Sequence, residues 1–273
     1  MPSVQYRYTR TCLRTRVSHA GREIFMQLSL SDIQSVVASD RKVSFSRVLP
    51  RLFGVRLLGD MHERCSELGI PLPQGQKRMA RHEMIREAGV LFIHVPKNAG
   101  TAVCRTLYGQ ELEHRSIRYF RRSVSSLSGI PSVAIIRDPV DRFISAYRHA
   151  KGGGGRHRDL AETFAARYMA FRSLDDALDH VERATDWYDV DHIFRPQSWY
   201  VTNGRGKVVV DRLFHITELH ALSRHLFPSG RSDIPRLNDS VTPSLVPTRR
   251  QTERIQALYS RDYEIQKQVL TAG

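Results

Sequence analysis

Residues 92–101 read FIHVPKNAGT, and this stretch decides the fold. A β-prone apolar run from Val90 to Val95 reads as a short buried strand that stops at Pro96. Lys97 and a small loop with Gly100 follow, then Thr101 and an amphipathic helical spacing at Val103, Leu107 and Tyr108. Strand, basic glycine-containing loop and helix is the order that holds a phosphate-like dianion. Backbone N–H groups and the helix N-terminus face the anion, and the lysine adds a full charge. The loop is not a Walker A motif, because Lys97 precedes Gly100 instead of following the second glycine.

A second stretch, SVAIIRDPVDRFISAYRH at 132–149, has the same logic. Ser132–Ile136 is a short apolar strand, and Arg137 sits where it should end. Asp138 and Pro139 form a strong helix start, a capping carboxylate followed by proline at the first helical position. Asp141 adds charge favourable to the helix dipole. In parallel α/β sheets, ligands bind beyond the carboxyl ends of the strands. Lys97 and Arg137 are therefore expected to face one crevice.

This pair of stretches resembles the two cofactor loops of PAPS-dependent sulfotransferases, in the carbohydrate (family 2) branch; PAPS is 3′-phosphoadenosine-5′-phosphosulfate. The resemblance implies that Pro96, Lys97, Asn98, Ala99, Gly100, Thr101 and Ala102 hold the 5′-phosphosulfate. It implies that Arg137 and Ser145 hold the 3′-phosphate, with Arg142 and Tyr147 completing the RDPxxRxxSxY pattern. Asn98 replaces the commoner threonine and keeps a hydrogen-bond donor. Weaker similarities follow at Arg195-Pro196-Gln197 with Tyr200, at Leu213–Glu218, at Pro235, Leu237, Asn238 and Ser240, and at Tyr259 and Asp262. The resemblance covers roughly 89–270. It implies an α/β, P-loop-like three-layer fold with a central parallel sheet flanked by helices.

The rest of the chain is consistent with that class. Hydrophobic residues make up 41% of 273, enough for a core. No run approaches the ~18 apolar residues of a membrane-spanning helix, and no apolar segment follows the start as in a secretory signal. The expectation is a cytoplasmic protein. An arginine-rich, acid-free stretch over 1–22 leaves an organellar transit segment as the alternative. The net charge of +14 suits an anionic cofactor, an anionic substrate or nucleic acid. The aromatic residues are not interleaved with the arginines as a base-stacking surface requires, so nucleic acid is not expected. Cys12, Cys65 and Cys104 are odd in number and far apart, which argues against a disulfide framework or zinc site, and no metal is expected.

Residues 1–88 read as a basic, partly helical extension of unclear role, and 89–273 as the sulfotransferase domain. Helix starts are expected at Ser31-Asp32 and Ser46, and Pro71, Pro73 and Gly75 read as a linker. Further strands are expected at 207–210 and 213–216, and helices at Leu160–Phe171, Leu174–Ala184, Leu219–Leu226 and Thr248–Leu270.

Sulfuryl transfer to a hydroxyl needs positive charge at the leaving oxygen and a base at the acceptor. Lys97 is the candidate for the first. The resemblance places the base after the first cofactor helix, where Glu111, Glu113 and His114 all stand as candidates. His192, Arg195 and Gln197 are weaker candidates for lining an acceptor cleft. The implied cosubstrate is PAPS, the product 3′,5′-ADP, and the partner a hydroxyl-bearing acceptor, carbohydrate or glycoconjugate. The competing readings are an ATP-dependent phosphotransferase with a divergent phosphate loop, and a basic nucleic-acid- or glycan-binding module. The missing Walker lysine and the lack of an obvious Mg²⁺-binding acid near Thr101 count against the first.

Overall fold

A computed structural model describes residues 13–19, 22–28, 50, 53–155, 158–228, 230, 234 and 245–272. The chain divides into two compact units, Met1–Gly54 and Val55–Gly273. In the first, β1 (Leu13–His19) and β2 (Arg22–Leu28) form an antiparallel hairpin in which Val17 pairs with Ile24. The sequence reading did not anticipate this hairpin, and the helix starts expected at Ser31 and Ser46 lie outside the described residues.

The second unit opens with α1 (Met61–Glu67) and α2 (Gln76–Ala88), ahead of the 88/89 boundary expected from sequence. Both belong to the core: Met61, Cys65, Ile70, Leu72 and Ile85 are buried. Pro71–Gly75 is thus a connector within one unit rather than a linker between two. Then follow β3 (Leu91–Ile93), α3 (Gly100–Tyr108), α4 (Ile117–Ser123), β4 (Ser132–Ile136) and α5 (Pro139–Lys151). A two-residue pair, β5 (Gly154–Gly155) and β6 (Arg158–Asp159), leads to α6 (Glu162–Met169) and α7 (Leu174–Glu182). The rest is α8 (Gln197–Val201), β7 (Arg212–His215), α9 (Leu219–Leu226), α10 (Arg249–Leu258) and α11 (Ser260–Ala272).

The sheet is parallel, in the order β3-β4-β7, with Phe92 opposite Val133 and Ala134 opposite Leu213. Every residue of β3 and β4 is buried, which is why these strands read as unbroken apolar runs and not as alternating ones. The register sets the carboxyl ends of β3 and β4 side by side, so the two basic loops emerge next to each other. The fold is α/β, a parallel sheet flanked by helices.

The main apolar cluster joins α5, α6, α7 and α10 through Phe143, Tyr147, Tyr168, Leu178, Phe194 and Ile255. Arg254 of α10 is also tied to α7, 2.7 Å from Asp175, 2.5 Å from Asp179 and 2.7 Å from Glu182.

Two expected elements differ. Residues 207–210 form no strand: Asn203 Oδ1 accepts from the N–H groups of Arg205 and Lys207 at 2.9 and 3.0 Å, which folds the chain into a turn. Only an isolated bridge, Thr202 with Val208, remains. The helix expected over 248–270 is two helices, broken at Tyr259 (φ −117°, ψ 30°). Tyr259 is buried and its hydroxyl donates to the Phe194 carbonyl at 2.7 Å, so tertiary contact overrides helix propensity there. Among the described residues, no helix is long and apolar enough to cross a membrane.

Candidate active site

The loop after β3 is built to leave N–H groups free. Among the described residues, Lys97 (φ 68°) and Ala99 (φ 59°) are the non-glycine residues with positive φ, a conformation that costs energy and concentrates at functional sites. Alternating left-handed residues turn successive N–H groups toward one concavity. Among the described residues, none of the N–H groups of Lys97 to Thr101 donates to a backbone carbonyl. No side chain caps α3. Gly100 is required here: a Cβ at this position would lie 2.1 Å from His94 Cδ2. Lys97 is half-buried, and its ammonium makes no hydrogen bond or ion pair among the described residues. Burial, with Arg137 and Arg142 adding repulsion, pulls its pKa down to about 8. A lysine unpartnered beside two arginines lacks an anion.

The loop after β4 is locked to the first one. Asp138 caps α5, accepting from Val140 N at 2.9 Å and Asp141 N at 3.1 Å. Gln197 Oε1 accepts from Asn98 Nδ2 at 2.7 Å and Arg137 N at 2.8 Å, and its Nε2 donates to the Arg137 carbonyl at 2.8 Å. Asn98 Nδ2 also donates to the Ile135 carbonyl at 2.8 Å, while its buried Oδ1 is unpaired. Asp262 in turn accepts from the N–H groups of Gln197 and Ser198 at 2.7 and 2.8 Å. Gln197 is thus a brace between the two loops and not part of an acceptor cleft. Asn98 points its amide into the scaffold.

Arg142 differs from expectation in the same way. It is buried, with Nε 3.2 Å from the Pro96 carbonyl and Nη2 bonded to the carbonyls of Ile193 and Arg195. It braces the Lys97 loop and projects charge onto it without being open to a ligand. Arg137 is half-buried and reaches the Lys97 carbonyl only at 3.5 Å. Burial depresses its pKa, opposed by Asp141 and Asp138 and assisted by Arg142 and Arg148. Arg148, one turn beyond the half-buried Ser145 on α5, is a neighbouring charge the sequence reading missed. Tyr147 packs in the core.

The three base candidates separate clearly. His114 Nδ1 lies 2.9 Å from the His94 carbonyl. A carbonyl only accepts, so Nδ1 carries the proton and the neutral ring keeps its lone pair on Nε2. The His94 ring, itself against Gly100, is 4.2 Å from the His114 ring. His114 is thereby coupled to the Lys97 loop. Glu113 is held by Arg81 at 2.6 Å and by Arg115 at 2.7 Å. Burial raises its pKa, but Arg115 and Arg78 outweigh that and bring it down to about 2. So weak a base has little driving force to take a hydroxyl proton. Glu111 pairs with Arg105 at 3.0 Å.

His192 and Arg195 are held from beneath. Asp60, fully buried, receives His192 Nε2 at 3.1 Å and Arg195 Nη2 at 2.5 Å. Burial would raise the Asp60 pKa, but Arg195 and His192 hold it well below the usual carboxylate range. His192 Nδ1 faces Arg195 Nη1 at 3.3 Å, and an arginine only donates. Both ring nitrogens of His192 are therefore engaged, and burial with Arg195 pushes its pKa down. Arg195 is scaffold and does not line a cleft.

A cleft of about 340 Å³ opens on this side, lined in part by Arg78, Glu113, His114, Arg115 and His192. Asp60, Glu63, Arg78 and Arg81, all before residue 89, contribute to its walls or their support, and the sequence reading assigned them no role. Glu63 is buried and accepts from Ser116 N at 3.1 Å and from Ser116 Oγ. No periodicity or motif signals such contacts, since each partner lies tens of residues away.

The model of the sulfotransferase family matches residues 83–266, more than half of the chain. Neither the curated proteins nor the solved structures gave a match. With the family match spanning both basic loops and the sheet that sets them side by side, the chain belongs to the sulfotransferase family.

Proposed function

We propose that this protein moves a sulfuryl group from PAPS to a hydroxyl of a carbohydrate or glycoconjugate. The observation that carries the reading is the Lys97–Thr101 loop, with its run of unpaired N–H groups and unpartnered ammonium at the end of β3. These groups fit a 5′-phosphosulfate, and Arg137 on the adjacent loop, with Ser145 on α5, fits a 3′-phosphate. PAPS, when bound, supplies an activated sulfuryl group on a good leaving group, 3′,5′-ADP.

The chain's own residues do the rest. Lys97 places positive charge where negative charge grows on the leaving oxygen, and the loop N–H groups fix the adjoining phosphate. His114 Nε2 takes the acceptor proton as the new O–S bond forms. Its Nδ1–H, held by the His94 carbonyl, fixes ring and tautomer. Arg142 and Gln197 keep the two loops in register. Titration calorimetry tests the reading. Binding of 3′,5′-ADP at least about tenfold tighter than 5′-ADP is expected from one extra charge-assisted phosphate contact. Equal affinities would sink it.

A further inference from the structure

The main apolar cluster reaches the surface in one place. Leu160 and Ile193 belong to it, Leu57 and Ala161 pack against it half-buried, and all four line the cleft that also holds His114. Leu57 leads into a single turn of 3₁₀ helix, Leu58–Asp60, whose Gly59 lines the cleft as well. A Cβ on Gly59 would meet no atom within 4 Å, so the wall is left open there. Asp60 of the same turn is buried against Arg195 and His192, which pins the turn in place. This apolar wall is therefore anchored, and its Leu57–Gly59 part lies ahead of the family match at 83–266.

A sugar ring makes poor use of such a wall. Any hydroxyl pressed against Leu57, Leu160, Ala161 or Ile193 gives up water and gains no hydrogen bond. An alkyl chain in the same place removes apolar surface from water on both partners. Among the described residues, the lining carries no Phe, Tyr or Trp, the ring faces that best match an aryl group. We propose that the acceptor is amphipathic, an alkyl glycoside of the glycolipid type: its sugar hydroxyl meets His114, and the first carbons of its chain lie on Leu57, Leu160 and Ala161. At about 340 Å³ the cleft is at the small end of ligand sites, which suits one sugar and the start of a chain. The role as acceptor rests on the sulfuryl-transfer reading; the affinity for an alkyl chain does not.

The test uses octyl, phenyl and methyl β-glucoside, each kept below the micelle concentration of the octyl compound. Each is titrated by saturation-transfer NMR into the full chain saturated with 3′,5′-ADP. Octyl glucoside should bind at least about tenfold tighter than methyl glucoside, the gain from burying about two methylene groups. Leu57→Ser should abolish that preference. Gly59→Asp, which sets a hydrated carboxylate on the wall, should do the same while leaving 3′,5′-ADP affinity unchanged. Gly59 is exposed and its backbone lies outside the left-handed region, so its variant is the safe partner should Leu57→Ser misfold. Equal binding of octyl and methyl glucoside, binding of neither, tighter binding of the phenyl compound, or an octyl preference that survives Gly59→Asp overturns the proposal. Should 3′,5′-ADP itself not bind, the sulfuryl-transfer reading fails, and the same titrations without it still judge the apolar wall.

Discussion

Lys97 shows how a single residue's environment becomes a pH dependence. Its free-state pKa of about 8 comes first from burial and then from Arg137 and Arg142. An anion at the loop favours the charged form and raises that value. Below about pH 8 the ammonium is already charged, so 3′,5′-ADP affinity should be flat. Above it, binding must take up a proton, and affinity should fall by up to about tenfold per pH unit. Calorimetry in buffers of different ionisation heat should detect that proton, and Lys97→Gln should remove both the uptake and the alkaline fall. An alkaline fall that persists in Lys97→Gln belongs to another group. His114 carries the complementary expectation. His114→Ala should lower turnover by roughly 10²–10⁴-fold while sparing 3′,5′-ADP affinity. Loss of turnover in Glu113→Gln but not in His114→Ala would transfer the role to the glutamate despite its pKa of about 2.

At the scale of elements, the loop before α4 is positioned by helices that precede the sheet. Glu63 of α1 accepts from both the N–H and hydroxyl of Ser116, the N-cap of α4, and Arg78 and Arg81 of α2 reach Glu113. These contacts stretch the loop over Glu113–Ser116 between two helices. Glu63 exacts a cost in doing so. Its folded pKa, raised by burial to about 7, lies above an ordinary carboxyl's, so the folded state holds the proton longer than the unfolded one. Stability from this group is therefore present below about pH 4.5 and lost as pH rises toward about 7, by up to about 3 kcal/mol for that shift. Urea titrations across that range should show the wild-type-minus-Glu63→Gln difference falling with pH; a constant difference would mean Glu63 is ionised throughout. Sequence made the two loops readable because each is a local device: an apolar run, a breaker, a capped helix. It could not reveal that Gln197, Arg142 and Arg195 are braces. Their partners, Asn98, the Pro96 carbonyl and Asp60, lie 99, 46 and 135 residues away. A polar residue that braces and one that binds look alike until the fold brings the partner in.

On the scale of the whole molecule, the same long-range pairs decide where the catalytic unit begins. The resemblance in sequence starts near residue 89 and the family match at 83, but the compact unit starts at Val55. The intervening segment carries Asp60, buried against Arg195 and His192, and Glu63 against Ser116. It also carries the apolar residues Met61, Cys65, Ile70, Leu72 and Ile85, all buried. Removing it would expose that apolar surface and leave the fully buried Arg195 without its carboxylate, a loss of order 3–5 kcal/mol for the unpaired charge alone. That is comparable to a domain's entire stability. A chain starting at Val55 should therefore fold cooperatively and bind 3′,5′-ADP as the full chain does, whereas one starting at Gly89 should not. Thermal unfolding followed by circular dichroism, with and without 3′,5′-ADP, compares the two. A cooperative, ligand-stabilised transition from the Gly89 chain would show that the family-matched region stands alone. It would also reduce Asp60 and Glu63 from structural supports of the cleft to incidental neighbours.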